Sequence, residues 1–322
     1  MRVVVMRRFG APQVLQLAEV PGLTAGPGEV AIDVEFANVT FVETQIRAGT
    51  PPNPAMLPAL PAVLGNGVGG TVTAAGPGAD PALVGRRVVA SLTGTGGYAE
   101  QAAAAAQRLI EVPGQMDLRD AVALLADGRT AVALAGLARI RSGDTVLIEA
   151  AAGGVGTLLV QLARNAGARA VALASSERKL ATARALGADV AINYSNQDWP
   201  LRAREAAGEA DVVFDGVGGD VALAAFALLR RGGRFCPFGM ASGSFAPVSP
   251  ELAREHQVTV LRSQPLSAEE LRSMTEAALA EATAGRIHPV IGQEFELAQA
   301  ADAHTAIESR TTTGKTLLRI SR

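Results

Sequence analysis

The rhythm of hydrophobic and polar positions changes near residue 120. Before it, short apolar runs are broken repeatedly by Gly and Pro. Val30 to Ala37, Gly70 to Ala75 and Arg87 to Ser91 read as strands, and the clusters Ala25-Gly26-Pro27-Gly28 and Gly76-Pro77-Gly78 read as turns between them. The pattern predicts a β-rich unit over residues 1–120. From 121 to 262 apolar runs alternate with amphipathic stretches. Six runs are strand-like: Thr145 to Glu149, Ala170 to Ser175, Val190 to Asn193, Val212 to Asp215, Arg234 to Phe238 and Val258 to Arg262. Helical periodicity fills gaps between them, as in Val155 to Ala166 and Glu177 to Leu186. Strands joined by helical crossovers predict an α/β doubly wound parallel sheet. The remainder, 263–322, holds helix candidates at Ala268 to Ala284 and Ala300 to Ser309 and a strand at Thr316 to Ile320. It is too short to be a domain and is expected to pack on the first unit.

Composition narrows the function. Lys plus Arg total 29 and Asp plus Glu 31, so no charge excess points to nucleic acid or to an anionic membrane. The apolar run in Met1-Arg2-Val3-Val4-Val5-Met6 is too short for a signal-peptide core. The window Thr145 to Ala163, taken as the most apolar, contains Glu149, Gln161 and a glycine cluster, which argues against a membrane span. A cytoplasmic protein is expected. Cys236 is the sole cysteine, so neither an internal disulfide nor a thiolate zinc cluster can form. Its setting, Gly-Gly-Arg-Phe-Cys-Pro, predicts a small core residue. The histidines are His256, His288 and His304, without ligand-like spacing, and are expected at the surface or in the core.

Ala151-Ala152-Gly153-Gly154-Val155-Gly156 follows the first strand of the second unit and opens a helix. Small residues there let the backbone approach a pyrophosphate lying on the helix N-terminus. The turn after the next strand, Ser175-Ser176-Glu177-Arg178-Lys179, selects the dinucleotide. A bare ribose calls for an early acid, whereas hydroxyls followed by Arg and Lys suit a 2′-phosphate. Lys179 and Lys315 are the only lysines beside 27 arginines, so a retained lysine is suggestive. NADPH is therefore the expected cofactor. Glu177, placed late, is expected to begin the helix.

Several motifs in order make the chain resemble the medium-chain dehydrogenase/reductase superfamily, and within it the zinc-free quinone oxidoreductases. They are Ala150-Ala-Ala-Gly-Gly-Val-Gly156, Asp211-Val-Val-Phe-Asp-Gly-Val-Gly218, Gly232-Gly-Arg-Phe235 with Phe238-Gly239, and Gly314-Lys-Thr-Leu-Leu318. The resemblance implies a Rossmann domain inserted into a GroES-like catalytic domain, with the active site in the cleft between them. It implies that Gly153, Gly154 and Val155 hold the pyrophosphate and that Ser176, Lys179 and Tyr194, beside Ser175, surround the 2′-phosphate. Gly216, Val217, Phe238 and Gly239 would line the nicotinamide. Lys315, and Thr130 early in a helix, would approach the cofactor. It also implies a homodimer through an edge strand, here Val258 to Val260.

Zinc-dependent relatives carry a Gly-His-Glu segment where this chain reads Gly65-Asn66-Gly67, so no metal is expected. The acceptor region departs from the family. Quinone oxidoreductases show Asn, then Asp, then Tyr before Arg-x-Gly. Aligned on Arg47 and Gly49, this chain has Thr40, Glu43 and Gln45 at those positions. Thr40, Gln45 and the nearby Asn38 are candidates to hydrogen-bond a substrate oxygen, while Glu43 is expected to be structural and paired with Arg47. The expected activity is metal-independent hydride transfer from NADPH to a quinone or similar small carbonyl. An enoyl or enone (alkenal) reductase and a non-catalytic NADPH-binding structural or sensor protein are the alternatives.

Overall fold

The computed structural model describes residues 1–92, 94–262 and 266–320. It divides into two units. The first comprises Met1–Asp127, Ala268–Thr283 and Pro289–Arg322, and the second comprises Gly128–Ser267 and Ala284–His288. The sequence-derived boundary at 262/263 adjoins residues 263–265, which lie outside the described residues.

The first unit is built on a seven-stranded sheet. Its longest member, Glu29–Val39, pairs antiparallel with Gly67–Ala75, with Gln101–Ala105 and with Lys315–Arg319. The last pairing carries the C-terminal segment back into this unit. Val30, Ile32, Val68, Val72, Val88 and Leu318 form the centre of the core. The alanine run 102–106, not expected as a strand, provides most of Gln101–Ala105. Alanine has poor strand propensity, but its small side chain suits a position pressed against a buried strand. Phe41–Ala48 is a helix that the sequence reading did not identify.

The second unit contains a six-stranded, wholly parallel sheet. In space the strands run Val190–Asn193, Arg169–Ala174, Thr145–Ile148, Ala210–Asp215, Leu229–Pro237 and Thr259–Val260. In sequence order this is 3-2-1-4-5-6, the doubly wound arrangement of dinucleotide-binding domains. Val146, Ile148, Val171, Leu173, Val213 and Phe214 are wholly or almost wholly buried, as a sheet covered on both faces requires. The order in which strands are added reverses between Thr145–Ile148 and Ala210–Asp215, which opens a crevice at their carboxyl ends. The expected run Val258 to Arg262 shortens to Thr259–Val260, which among the described residues pairs only with Leu229–Pro237.

Leu118–Ala138 is long and apolar enough to cross a membrane, and half of its most apolar window is buried inside the protein. A core helix gives that pattern. The most apolar helix is thus not in the window beginning at Thr145. Thr130 lies beyond the midpoint of this helix rather than early in it, because two apolar stretches have merged into one 21-residue element.

Candidate functional site

In the second unit, Gly153 is the N-cap of the Gly154–Asn165 helix and offers no side-chain cap. The amides of Gly154, Val155 and Gly156 therefore open the helix without intrahelical partners, a ready anion seat. Gly156 is required by close approach, since a Cβ there would stand 2.3 Å from the Ala150 carbonyl oxygen. Ala150 itself adopts φ 47°, a left-handed conformation that costs a non-glycine residue energy and marks the turn as tightly constrained.

One strand further on, Ser176 caps the Glu177–Ala185 helix, its hydroxyl accepting from the Lys179 amide. Lys179 Nζ lies 3.4 Å from Ser175 Oγ. The Tyr194 amide donates to the Ala174 carbonyl and Ser195 Oγ to that of Ser175. Ser175, Ser176, Lys179 and Tyr194 thus gather at the carboxyl ends of Arg169–Ala174 and Val190–Asn193. Glu177 begins the helix and pairs with Arg184 further along it, at 3.1 Å. The acid of this turn is thus engaged with Arg184.

The third cluster lies beyond Asp215. The amides of Phe238 and Gly239 donate to the Asp215 carbonyl, that of Ala241 to Gly216 and that of Ser242 to Val217. This ladder brings Gly216, Val217, Phe238 and Gly239 together. Gly218 turns at φ 75°, where a Cβ would lie 1.9 Å from the Ser244 carbonyl oxygen. Beneath the turn, Glu149 and Asp215 are both fully buried, and burial raises the affinity of each carboxyl for its proton. The sequence reading gave neither side chain a role.

In the first unit the substrate candidates stand at the end of Glu29–Val39 and the start of Phe41–Ala48. The Glu43 carboxylate reaches back to the Thr40 amide at 2.7 Å and hydroxyl at 3.0 Å, and accepts from the Asn66 amide at 2.8 Å. It also accepts from the Tyr98 hydroxyl at 3.3 Å, and Tyr98 lies 3.0 Å from His304 Nε2. Since Tyr98 donates to Glu43, its oxygen accepts the Nε2 proton of a neutral His304. Burial raises the Glu43 pKa, against the hydrogen bonds from Thr40 and Asn66 and the charge of Lys315. The expected Glu43–Arg47 pair does not form. Arg47, buried, donates to the Gly10 and Thr44 carbonyls and pairs with Glu308.

This network sorts the three candidates. Thr40 spends its hydroxyl proton on Glu43 and can only accept. Gln45 is half-buried, and its side-chain amide has no hydrogen-bond partner among the described residues. Asn38 has no exposed surface, and both of its amide atoms lack a partner. The sheet interior has enclosed it. Lys315 is buried and pairs with Asp127 at 3.0 Å.

His304 carries a prediction. Burial, with the Arg47 charge adding to it, lowers its pKa from 6.5 to about 3. A group with a depressed pKa stabilises the fold above its unfolded value and loses that contribution as pH falls. Denaturant titrations should therefore show stability falling from pH 6.5 towards pH 3, with His304 responsible for up to about 5 kcal/mol at the acid end. His304→Gln should flatten that slope, and an unchanged slope would remove His304 as its cause.

Two family models match the chain, one described as an alcohol dehydrogenase GroES-like domain over residues 26–114 and one as a zinc-binding dehydrogenase over residues 154–281. A 2-haloacrylate reductase from Burkholderia sp. is 33% identical over 98% of this chain and 97% of its own length. A Pseudomonas aeruginosa quinone oxidoreductase is 32% identical over 96% and 97%. The chain is a quinone oxidoreductase-like member of the medium-chain dehydrogenase/reductase superfamily. The Escherichia coli quinone oxidoreductase, solved in complex with NADPH, superimposes with a TM-score of 0.91 at 28% identity, covering 99% of this chain and all of the other. The fold of this family member is accordingly a GroES-like unit with a Rossmann sheet. Among the described residues no group of three or more His, Cys, Asp or Glu could hold a metal ion.

Proposed function

We propose that this protein is an NADPH-dependent, metal-independent reductase that passes hydride to a quinone or similar small carbonyl. The observation that carries the reading is the cluster of Ser175, Ser176 and Lys179 with Glu177 turned away to Arg184. It offers two hydroxyls and a cation to a 2′-phosphate. NADPH bound to such relatives supports the same cofactor here. The helix amides of Gly154 and Val155 hold the pyrophosphate, and Gly216, Val217, Phe238 and Gly239 form the wall for the nicotinamide.

Bound NADPH supplies the hydride from C4 of its nicotinamide. The chain's own residues orient the partners and exclude water, which is where a hydride-transfer enzyme gains its rate. Gln45 donates a hydrogen bond to the acceptor oxygen. Thr40, held by Glu43, stands ready to accept from a reduced product's hydroxyl. Reduction of a quinone produces an anion that water can protonate, so no strong general acid is needed.

A second reading, reduction of an activated C=C bond, is favoured by the likeness to the 2-haloacrylate reductase. NADPH oxidation measured with a quinone panel and with an enone and haloacrylate panel separates the two. Turnover of neither would remove the reductase reading. Chelator treatment is expected to leave the rate unchanged, and loss restored by a metal ion would overturn metal independence. The reading includes a cytoplasmic homodimer joined at the Thr259–Val260 edge, which among the described residues pairs on one side only.

A further inference from the structure

Glu149 follows the strand Thr145–Ile148, and Asp215 ends the strand Ala210–Asp215. The two strands are parallel neighbours, with Phe214 beside Ile148, and the strand order reverses between them. Both carboxyls therefore lie at the floor of the crevice that a dinucleotide occupies in this fold. Asp215 Oδ1 accepts from the amides of Val217 at 3.0 Å and Gly218 at 2.7 Å. Glu149 Oε2 accepts from the same Val217 amide at 3.1 Å. One oxygen of each carboxyl, Glu149 Oε1 and Asp215 Oδ2, is buried with no donor.

The groups acting on the pair are each other and the Val217 and Gly218 amides. No Lys, Arg or His among the described residues contributes from any neighbouring element. Glu149 Oε2 and Asp215 Oδ1 accept from the one Val217 amide, which sets the two carboxyls side by side. Two ionised carboxylates offer only acceptors and would set like charges together, which one proton held between them relieves. Two bare charges in this site would each carry a burial cost of several kcal/mol with no cation in return. Asp215 has two backbone amides to hold a negative charge, which leaves the proton on Glu149.

We propose that Glu149 and Asp215 share one proton, and that this pair positions the Gly216–Gly218 turn and sets the alkaline limit of NADPH binding. The inference rests on the reading that Gly216 and Val217 face the nicotinamide. Both are positioning residues, acting through the Val217 and Gly218 amides. Burial and the neighbouring Asp215 hold the Glu149 pKa well above the usual carboxylate range. A raised pKa means that the contribution is whole at low pH and is lost as pH rises through the folded value. Loss of the proton sets two like charges together under the turn and loosens its grip on the cofactor.

The test compares the wild type with E149Q and D215N. NADPH dissociation constants are measured upward from about pH 7 across the alkaline range in which the protein stays folded, at fixed ionic strength, and infrared spectra are taken of each protein. In E149Q the side-chain amide supplies the same donor without titrating. In D215N a Glu149 that loses its proton meets the new amide, which can donate to it, rather than a second carboxylate. The wild-type dissociation constant should rise about tenfold or more, whereas that of either variant should change less than about twofold. A buried protonated-carboxyl stretch should be present in the wild type near pH 7 and lost in E149Q. An equal alkaline rise in wild type and variants, or no such stretch in the wild type, would overturn the proposal. If E149Q does not fold, D215N and the wild-type infrared band decide it. Failure of NADPH to bind even near pH 7 would sink the cofactor reading and this link with it, while the band alone still reports the shared proton.

Discussion

Replacing Lys179 by alanine is expected to weaken NADPH binding by roughly five- to thirtyfold and to leave NADH binding within about twofold. A hydrogen bond to a charged group contributes about 1.5–3 kcal/mol, discounted to about 1–2 kcal/mol for a half-exposed site. Lys179 springs from a helix capped by Ser176, and its Nζ is already drawn to Ser175. The ammonium is thus held beside the hydroxyls where a 2′-phosphate would lie. NADH has no such phosphate and should be indifferent. Fluorescence titration of both cofactors against wild type and variant provides the measurement. Equal losses for the two cofactors would show that Lys179 does not read the phosphate.

Glu43→Ala is expected to cost about 3–5 kcal/mol of folding stability, the largest single loss anticipated here. The side chain ends a network of four donors: the Thr40 amide and hydroxyl, the Asn66 amide and the Tyr98 hydroxyl. Alanine leaves buried donors unsatisfied and removes the link through Tyr98 to His304. Glu43→Gln should recover only part of the loss. Its carbonyl can serve the Thr40 side, but its amino group then faces the Asn66 amide, donor against donor. Denaturant unfolding at neutral pH ranks the three proteins. A loss below about 1 kcal/mol for Glu43→Ala would show that water replaces the carboxylate without penalty.

The second unit was legible in the sequence because its strands are buried on both faces. Val146 to Ile148 and Val212 to Phe214 are unbroken apolar runs, and the glycine-rich turn follows the first of them directly. The first unit was less legible. Gln101–Ala105 is a strand because Glu29–Asp33 lies beside it, not because alanine favours one. Local spacing also misdirected the polar pairs. Glu43 and Arg47 sit four residues apart, as a helix pair would, yet Arg47 meets Glu308, 261 residues away. Glu149 and Asp215 were invisible for the same reason. Their relation depends on strand order, which periodicity does not encode. Glu149 also reads as the polar residue that simply ends a strand.

The buried cysteine has a consequence for the chemistry proposed. Cys236 has no exposed surface, and burial pushes its thiol up to about 12. The thiolate is the reactive form of cysteine, so at physiological pH this one is chemically silent. Quinones and activated alkenes that accept a hydride also accept a thiolate, forming a permanent adduct. A catalyst handling such electrophiles all its life runs the risk of being alkylated by its own substrate. With its sole sulfhydryl locked inside the Leu229–Pro237 strand, this protein presents no thiol among its described residues for that self-inflicted damage to reach.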